Sequence, residues 1–210
     1  MGRQVDPEKL DSLPADAPEA VRSRKDLQRI NALMGNHAWV TNILGNRLPG
    51  HVVEIGAGDG QLANALVEFG WNVTAIDLAP KPSTCASAVD WLRADLHEVL
   101  DDLEGDVLLG CLVWHHFQDT ELNSFGKLVD RFGGFLATEP WRVHHARLLG
   151  MALVPIVNRV TRHDMFVSIR AGFQRGELPG LLGLSPSQWE IQEAVTLLGA
   201  YRLQAWKQLG

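Results

Sequence analysis

VVEIGAGDG, residues 52–60, reads as a strand running into a tight glycine loop. Val52, Val53 and Ile55 are β-branched and suit a buried pleated surface. Gly56, Gly58 and Gly60 recur at every second position. Without a Cβ, such a loop lets bare backbone approach a ligand. A dinucleotide fingerprint, G-x-G-x-x-G, asks for glycine or alanine at position 61, where Gln61 stands. A P-loop asks for lysine and a hydroxyl residue after its last glycine, but the chain continues Gln61-Leu62. What remains is E-x-G-x-G-x-G, led by Glu54. A carboxylate two residues before the first glycine repels a pyrophosphate and suits a cationic ligand.

Outward from this loop the chain alternates strand and helix. A strand at 51–55 is followed by a helix at 60–69 ending at Gly70, then the strand NVTAID at 72–77. A short strand at 89–93 leads to a helical turn from Leu96. DVLLGCL, 106–112, is apolar on both faces, as a central parallel strand should be. A helix at 119–131, with Asp119-Thr120 as cap candidates, stops before the strand GGFLATE, 133–139. This alternation predicts an open, mostly parallel α/β sheet with helices on both faces. WEIQEAVT, 189–196, and YRLQAWKQ, 201–208, alternate with period two and predict an antiparallel hairpin at the sheet edge.

Two segments stand outside the alternation. Residues 23–46 carry apolar side chains at helical spacing with a pause near Gly35, so one or two amphipathic helices are expected. Residues 142–175 are helical, apolar and interrupted by Pro155, and carry six arginines against one acid, Asp164. Residues 1–22, with Pro7, Pro14 and Pro18 and little to bury, read as a flexible arm. The remainder, 23–210, reads as a single domain.

Acids end the next two strands. Asp77, 17 residues after Gly60, is placed to accept both hydroxyls of a ribose. Asp95 can accept from an adenine amino group, with Leu78 and Leu96 as apolar walls for the purine. A ribose, an adenine, a positive centre and no phosphate describe S-adenosylmethionine. Each acid taken alone is equally a solvated loop residue or a helix cap, and a glycine turn can be purely structural.

In order and spacing, VVEIGAGDG, AIDL at 75–78, RADL at 93–96 and DVLLGCLVWHHF at 106–117 resemble the class I S-adenosylmethionine-dependent methyltransferases. The likeness spans about 50–140. It implies a Rossmann-like, doubly wound, seven-stranded, mostly parallel sheet with an antiparallel last strand, with N-terminal helices and a helical lid inserted at 142–183. It also implies S-adenosyl-L-methionine as cofactor and S-adenosyl-L-homocysteine as product. Cofactor contacts are expected from Glu54, Gly56, Ala57, Gly58, Gly60, Asp77, Leu78, Asp95 and Leu96, and from Cys111 and Leu112 after the fourth strand.

Methyl transfer from a sulfonium needs an aligned nucleophile and a dry site, and a hydroxyl acceptor must also lose its proton. Histidine is the natural base. His115 and His116 lie after the fourth strand, where substrates bind in open α/β sheets. His163, beside Asp164, is a third candidate. Each can equally be a loop-shaping or surface residue. Trp114, Glu139 and Trp141 are expected to line the acceptor pocket, and His37, in the N-terminal helices, is a further candidate there. No Asn/Asp-Pro-Pro-Tyr/Phe motif follows the fourth strand, where base-amine methylating families carry it. The small-molecule type is expected, resembling bacterial polyketide or quinone methyltransferases, with O-methylation of a hydrophobic hydroxylated acceptor favoured. A cofactor-binding regulatory partner and a protein or tRNA methyltransferase stay open as alternatives.

The totals agree with an ordinary globular chain: 210 residues, 46% apolar and 21% charged. A net charge of −6 argues against general nucleic-acid binding. Two cysteines without metal-ligand spacing predict no metal site and a reducing compartment. Without an apolar leader or spanning run, a cytoplasmic location is expected. The basic, apolar insertion leaves a peripheral contact with an anionic membrane open. The sequence leaves the oligomeric state open.

Overall fold

The computed structural model describes residues 2–14 and 16–208. Its centre is a seven-stranded sheet. The strands are β1 (His51–Ile55), β2 (Asn72–Asp77), β3 (Asp90–Arg93), β4 (Val107–Cys111), β5 (Gly134–Pro140), β6 (Trp189–Val195) and β7 (Ala200–Lys207). Their order is β3-β2-β1-β4-β5-β7-β6. Parallel pairing runs from β3 to β5, with Val53 opposite Thr74 on one side and Leu108 on the other. β7 is antiparallel to both β5 and β6, so the closing hairpin joins the sheet through its second strand and leaves β6 at the edge.

The helices are α1 (Pro18–Met34), α2 (Asn36–Gly45), α3 (Gln61–Glu68), α4 (Leu96–Val99), α5 (Asp119–Val129), α6 (His144–Leu153), α7 (Arg159–Ala171) and α8 (Glu177–Leu181). The expected pause between the first two falls at Gly35, whose φ of 66° ends α1 in the left-handed region open to glycine. α1 begins at Pro18 rather than 23, because proline fits the first helical turn without losing a hydrogen bond. The cap of α5 is Gln118, not Asp119 or Thr120. Gln118 and Glu121 exchange side-chain to backbone bonds in a capping box.

Alternation along β1 sorts the core into two layers. Val53 and Ile55 join Leu108, Phe125, Phe135 and Trp114 on one face. Val52 joins Leu62, Leu66 and Val40 from α3 and α2 on the other. Leu62 and Leu66 lie one helical turn apart and are fully buried. Each contributes on the order of 1.5–3 kcal/mol of apolar burial. With both faces covered, ligands are left the rim at the carboxyl ends of the strands. α6 and α7 pack on each other, with Pro155 between them. No helix among the described residues is long and apolar enough to cross a membrane.

The N-terminal segment does more than its composition suggests. Arg3 donates to the carbonyls of Ala171 and Phe117 and pairs with Asp119. The amides of Lys9 and Leu10 donate to Asp164 at 2.8 and 3.0 Å. Residues 3–11 therefore cross the rim of the sheet, held by polar bonds and not by an apolar face.

Candidate functional site

The glycine loop leaves β1 with Gly56, Gly58 and Gly60 all at positive φ, between 57° and 72°. Their reasons differ. A Cβ on Gly56 would stand 2.7 Å from the Val113 side chain, and one on Gly60 would stand 2.8 Å from Cys85 Sγ. A Cβ on Gly58 would meet only the Gly56 carbonyl, at 4.0 Å. The first and third glycines thus serve packing, and the second keeps a cradle open. Ala57 between them is buried.

Asp77, at the end of β2, accepts from the amides of Gly58 and Ala79, each at 2.8 Å. A carboxylate has about four lone-pair sites, so two remain for a diol. Leu78 beside it is 69% exposed, a bare apolar face for a base. Asp95 is exposed and caps α4 by accepting from His97 N at 2.9 Å. Leu96, expected as the second wall, lies instead in the core, because α4 turns it inward.

Glu54 is buried on β1, and one carboxylate oxygen has no hydrogen-bond partner. Burial, reinforced by Asp59 and Asp77, pushes its pKa up to about 8. An unpaired buried carboxyl beside an open glycine cradle is a place for a cation.

α1 and α2 wall this end of the loop. Gln28 donates to Asp59, and Asn31 bonds His37 Nε2 at 2.7 Å. Cys111 Sγ lies 3.8 Å from Asn31 Oδ1 and 3.0 Å from Thr138 Oγ1. Burial holds the Cys111 thiol up at about 12, so it stays protonated. His37, half-buried, is kept below the usual imidazole range by desolvation. The contacts of Gln28 and Asn31 at this end of the loop were not expected from the sequence, since helical periodicity marks buried apolar positions and not which polar ones meet a neighbour.

At the end of β4, Leu112 has a φ of 58°, the one non-glycine residue with positive φ among the described residues. Such an outlier costs on the order of 1–3 kcal/mol and persists only where its surroundings hold it. Here the holder is Glu139 at the end of β5, fully buried. Its carboxylate accepts from the amides of Val113, Trp114 and His115 at 2.8–3.3 Å and from His115 Nδ1 at 2.6 Å. Glu139 is therefore a support beneath the loop and not a wall of the acceptor pocket. Trp114, also expected there, is fully buried in the core, because the turn drives its indole against Gly110. Trp141 is half-buried, edge-on to His145 with ring centroids 4.7 Å apart.

The three candidate bases separate clearly. His115 is buried, with Nδ1 on Glu139 and Nε2 3.5 Å from Glu8 of the N-terminal segment. Burial alone would depress it, but the charge and hydrogen bond of Glu139 and the nearby charge of Glu8 outweigh this and hold its pKa at about 9. It is a paired imidazolium, unsuited to take a proton. His116 stacks on His115 at 4.3 Å and reaches the surface. Desolvation and the His115 charge lower its pKa to about 4, so it is neutral at neutral pH. His163 is exposed on α7 and bonded to Asp164.

Residues 53–127 match a family model described as a methyltransferase domain. No curated protein matches the chain. Among solved structures, the chain is similar to the plantazolicin methyltransferase BpumL bound to a triazolic desmethylPZN analog and SAH, at a TM-score of 0.70 and 10% identity, over 95% of this chain and 93% of that one. It is similar to magnesium protoporphyrin IX methyltransferase (ChlM) from Synechocystis PCC 6803 with bound SAH, at 0.55 and 16%, over 90% and 85%. It is also similar to the Burkholderia thailandensis 1,6-didemethyltoxoflavin-N1-methyltransferase, at 0.56 and 18%, over 99% and 94%. The sheet order agrees with the fold of these structures, and the matched residues hold the glycine loop, Asp77, Asp95 and the turn after β4. The chain shares the fold of these structures, and its residues 53–127 carry the match to a methyltransferase domain.

Proposed function

We propose that the chain moves the methyl group of S-adenosylmethionine to a small hydrophobic acceptor carrying a hydroxyl or anionic oxygen. The residues present fit the cofactor: Gly58 leaves the cradle, Glu54 faces positive charge, Asp77 takes the ribose hydroxyls and Leu78 covers the base. The bound cofactor supplies the electrophilic methyl group. The chain's own part is to align the acceptor behind it and to keep water away.

The observation that carries the acceptor class is a cavity of about 570 Å³ at α6 and α7. Leu148, Met151, Val154 and Phe166 form its apolar walls, His144 lines it too, and Arg147 and Arg170 give it positive charge. An oily body with one anionic or acidic oxygen suits that combination. The similar structures support a small acceptor, since their names give an azole compound, a porphyrin and a toxoflavin precursor. One of those names gives a nitrogen as the methylated atom, so O-methylation rests on the chemistry of this cavity. The turn 114–116 after β4 handles the acceptor oxygen, with His116 the imidazole there that is neutral and reachable.

The test is transfer of labelled methyl to a panel of phenols and hydroxyquinones, followed by Arg147→Ala and Arg170→Ala. Losing one charge-assisted hydrogen bond costs roughly 1.5–3 kcal/mol, so the acceptor KM should rise about 10- to 100-fold with cofactor affinity unchanged. Label in macromolecules instead of the organic extract, or an unchanged KM, would overturn this reading.

A further inference from the structure

Glu8, His115 and His116 each offer a ligand atom within 4.8 Å of the others. We propose that these three side chains bind one divalent metal ion of the zinc class. Imidazole and carboxylate donors are the set such ions take, and three protein ligands leave a position open.

Three observations support the site. The first is spacing. His115 Nε2 and Glu8 Oε1 stand 3.5 Å apart, outside the usual hydrogen-bond range. Two atoms each about 2.1 Å from a tetrahedral ion lie about 3.4 Å apart. The second is outer support. His115 gives its Nδ1 proton to Glu139 at 2.6 Å, which turns Nε2 toward Glu8. Ser168 Oγ donates to Glu8. Carboxylates and hydroxyls behind the ligands are the usual means of fixing their orientation. The third is charge. Glu8 and Asp11 stand beside the two imidazoles, whereas Glu139 is satisfied by three backbone amides and Asp164 by the Lys9 and Leu10 amides and His163. A dication offsets the excess.

The ion would clamp the N-terminal segment onto the turn after β4. Its open position would polarise an acceptor oxygen, so the hydroxyl could lose its proton without a strong protein base. That second role rests on the acceptor reading above; the site itself does not. Sequence spacing concealed the set, because Glu8 lies more than 100 residues from its partners.

The test is calorimetric titration of the chelator-treated full chain with Zn²⁺, repeated with Co²⁺ while following visible absorbance. The parent should bind one equivalent of each and gain thermal stability with Zn²⁺. Glu8→Gln and His116→Ala, checked for native circular dichroism, should each bind at least about 10-fold more weakly. No stoichiometric binding by the parent overturns the proposal, as does equal binding by both variants. Neither readout needs an acceptor, so a failed acceptor assay leaves this result standing.

Discussion

Glu139→Ala is expected to destabilise the folded chain by about 3–5 kcal/mol, the range for breaking a buried ion pair from one side. The substitution removes the acceptor for three backbone amides and for His115, all in a fully buried place. Leu112 would also lose what keeps its backbone in the left-handed region. Equilibrium urea unfolding gives the number. Glu139→Gln keeps the volume and should lose less.

The same pair predicts a pH dependence. In the metal-free folded chain His115 is raised, to about 9. Its contribution is therefore complete below the unfolded value near 6.5 and is lost as pH climbs through 9. Parent stability should fall over that window, and the fall should be much smaller in Glu139→Gln. A flat parent profile between pH 6.5 and 9.5, or a Glu139→Ala cost within about 1 kcal/mol, would contradict the pairing.

Glu54→Gln is expected to weaken cofactor binding about 10-fold or more and to flatten its dependence on pH. Glu54 is buried, with a raised pKa of about 8, and is largely neutral at pH 7. A cationic ligand stabilises the ionised form, so binding drives a proton out. Parent affinity should therefore rise as pH approaches 8 and level off above it. Calorimetry in two buffers of different ionisation enthalpy reads the released proton directly. Equal proton release by parent and variant would assign the effect elsewhere.

How much of this was visible in the sequence depends on range. The strands at 51–55 and 72–77 were legible because each β-branched run follows a glycine turn, at Gly50 and Gly70, and β1 and β2 have those limits. The places of the loop after β1 and of Asp77 at the end of β2 were legible because they follow from spacing along one βαβ unit. What failed to show is what the fold brings together from afar. Trp114 looks like a rim residue until the turn after β4 drives it inward. Glu139 looks like a pocket wall until three amides converge on it. The segment 3–11 has too few apolar residues to announce a docking face, and its bonds to Asp164, Asp119 and the 114–117 carbonyls are polar and long-range. Leu96 was misplaced for a smaller reason: the helical turn that begins there decides which way it points.

Titration of the folded chain with S-adenosylhomocysteine, beside Asp77→Ala and Gly58→Val, puts the glycine cradle itself to the proof. The parent should bind one equivalent. Asp77→Ala removes the acceptor for the sugar and for the Gly58 amide, while a side chain on Gly58 fills the cradle and strains a φ of 57°. Both variants should bind at least about 10-fold more weakly, a change of about 1.4 kcal/mol or more. A parent that ignores the nucleoside, or two well-folded variants that bind it as tightly as the parent does, would show that this loop holds something else.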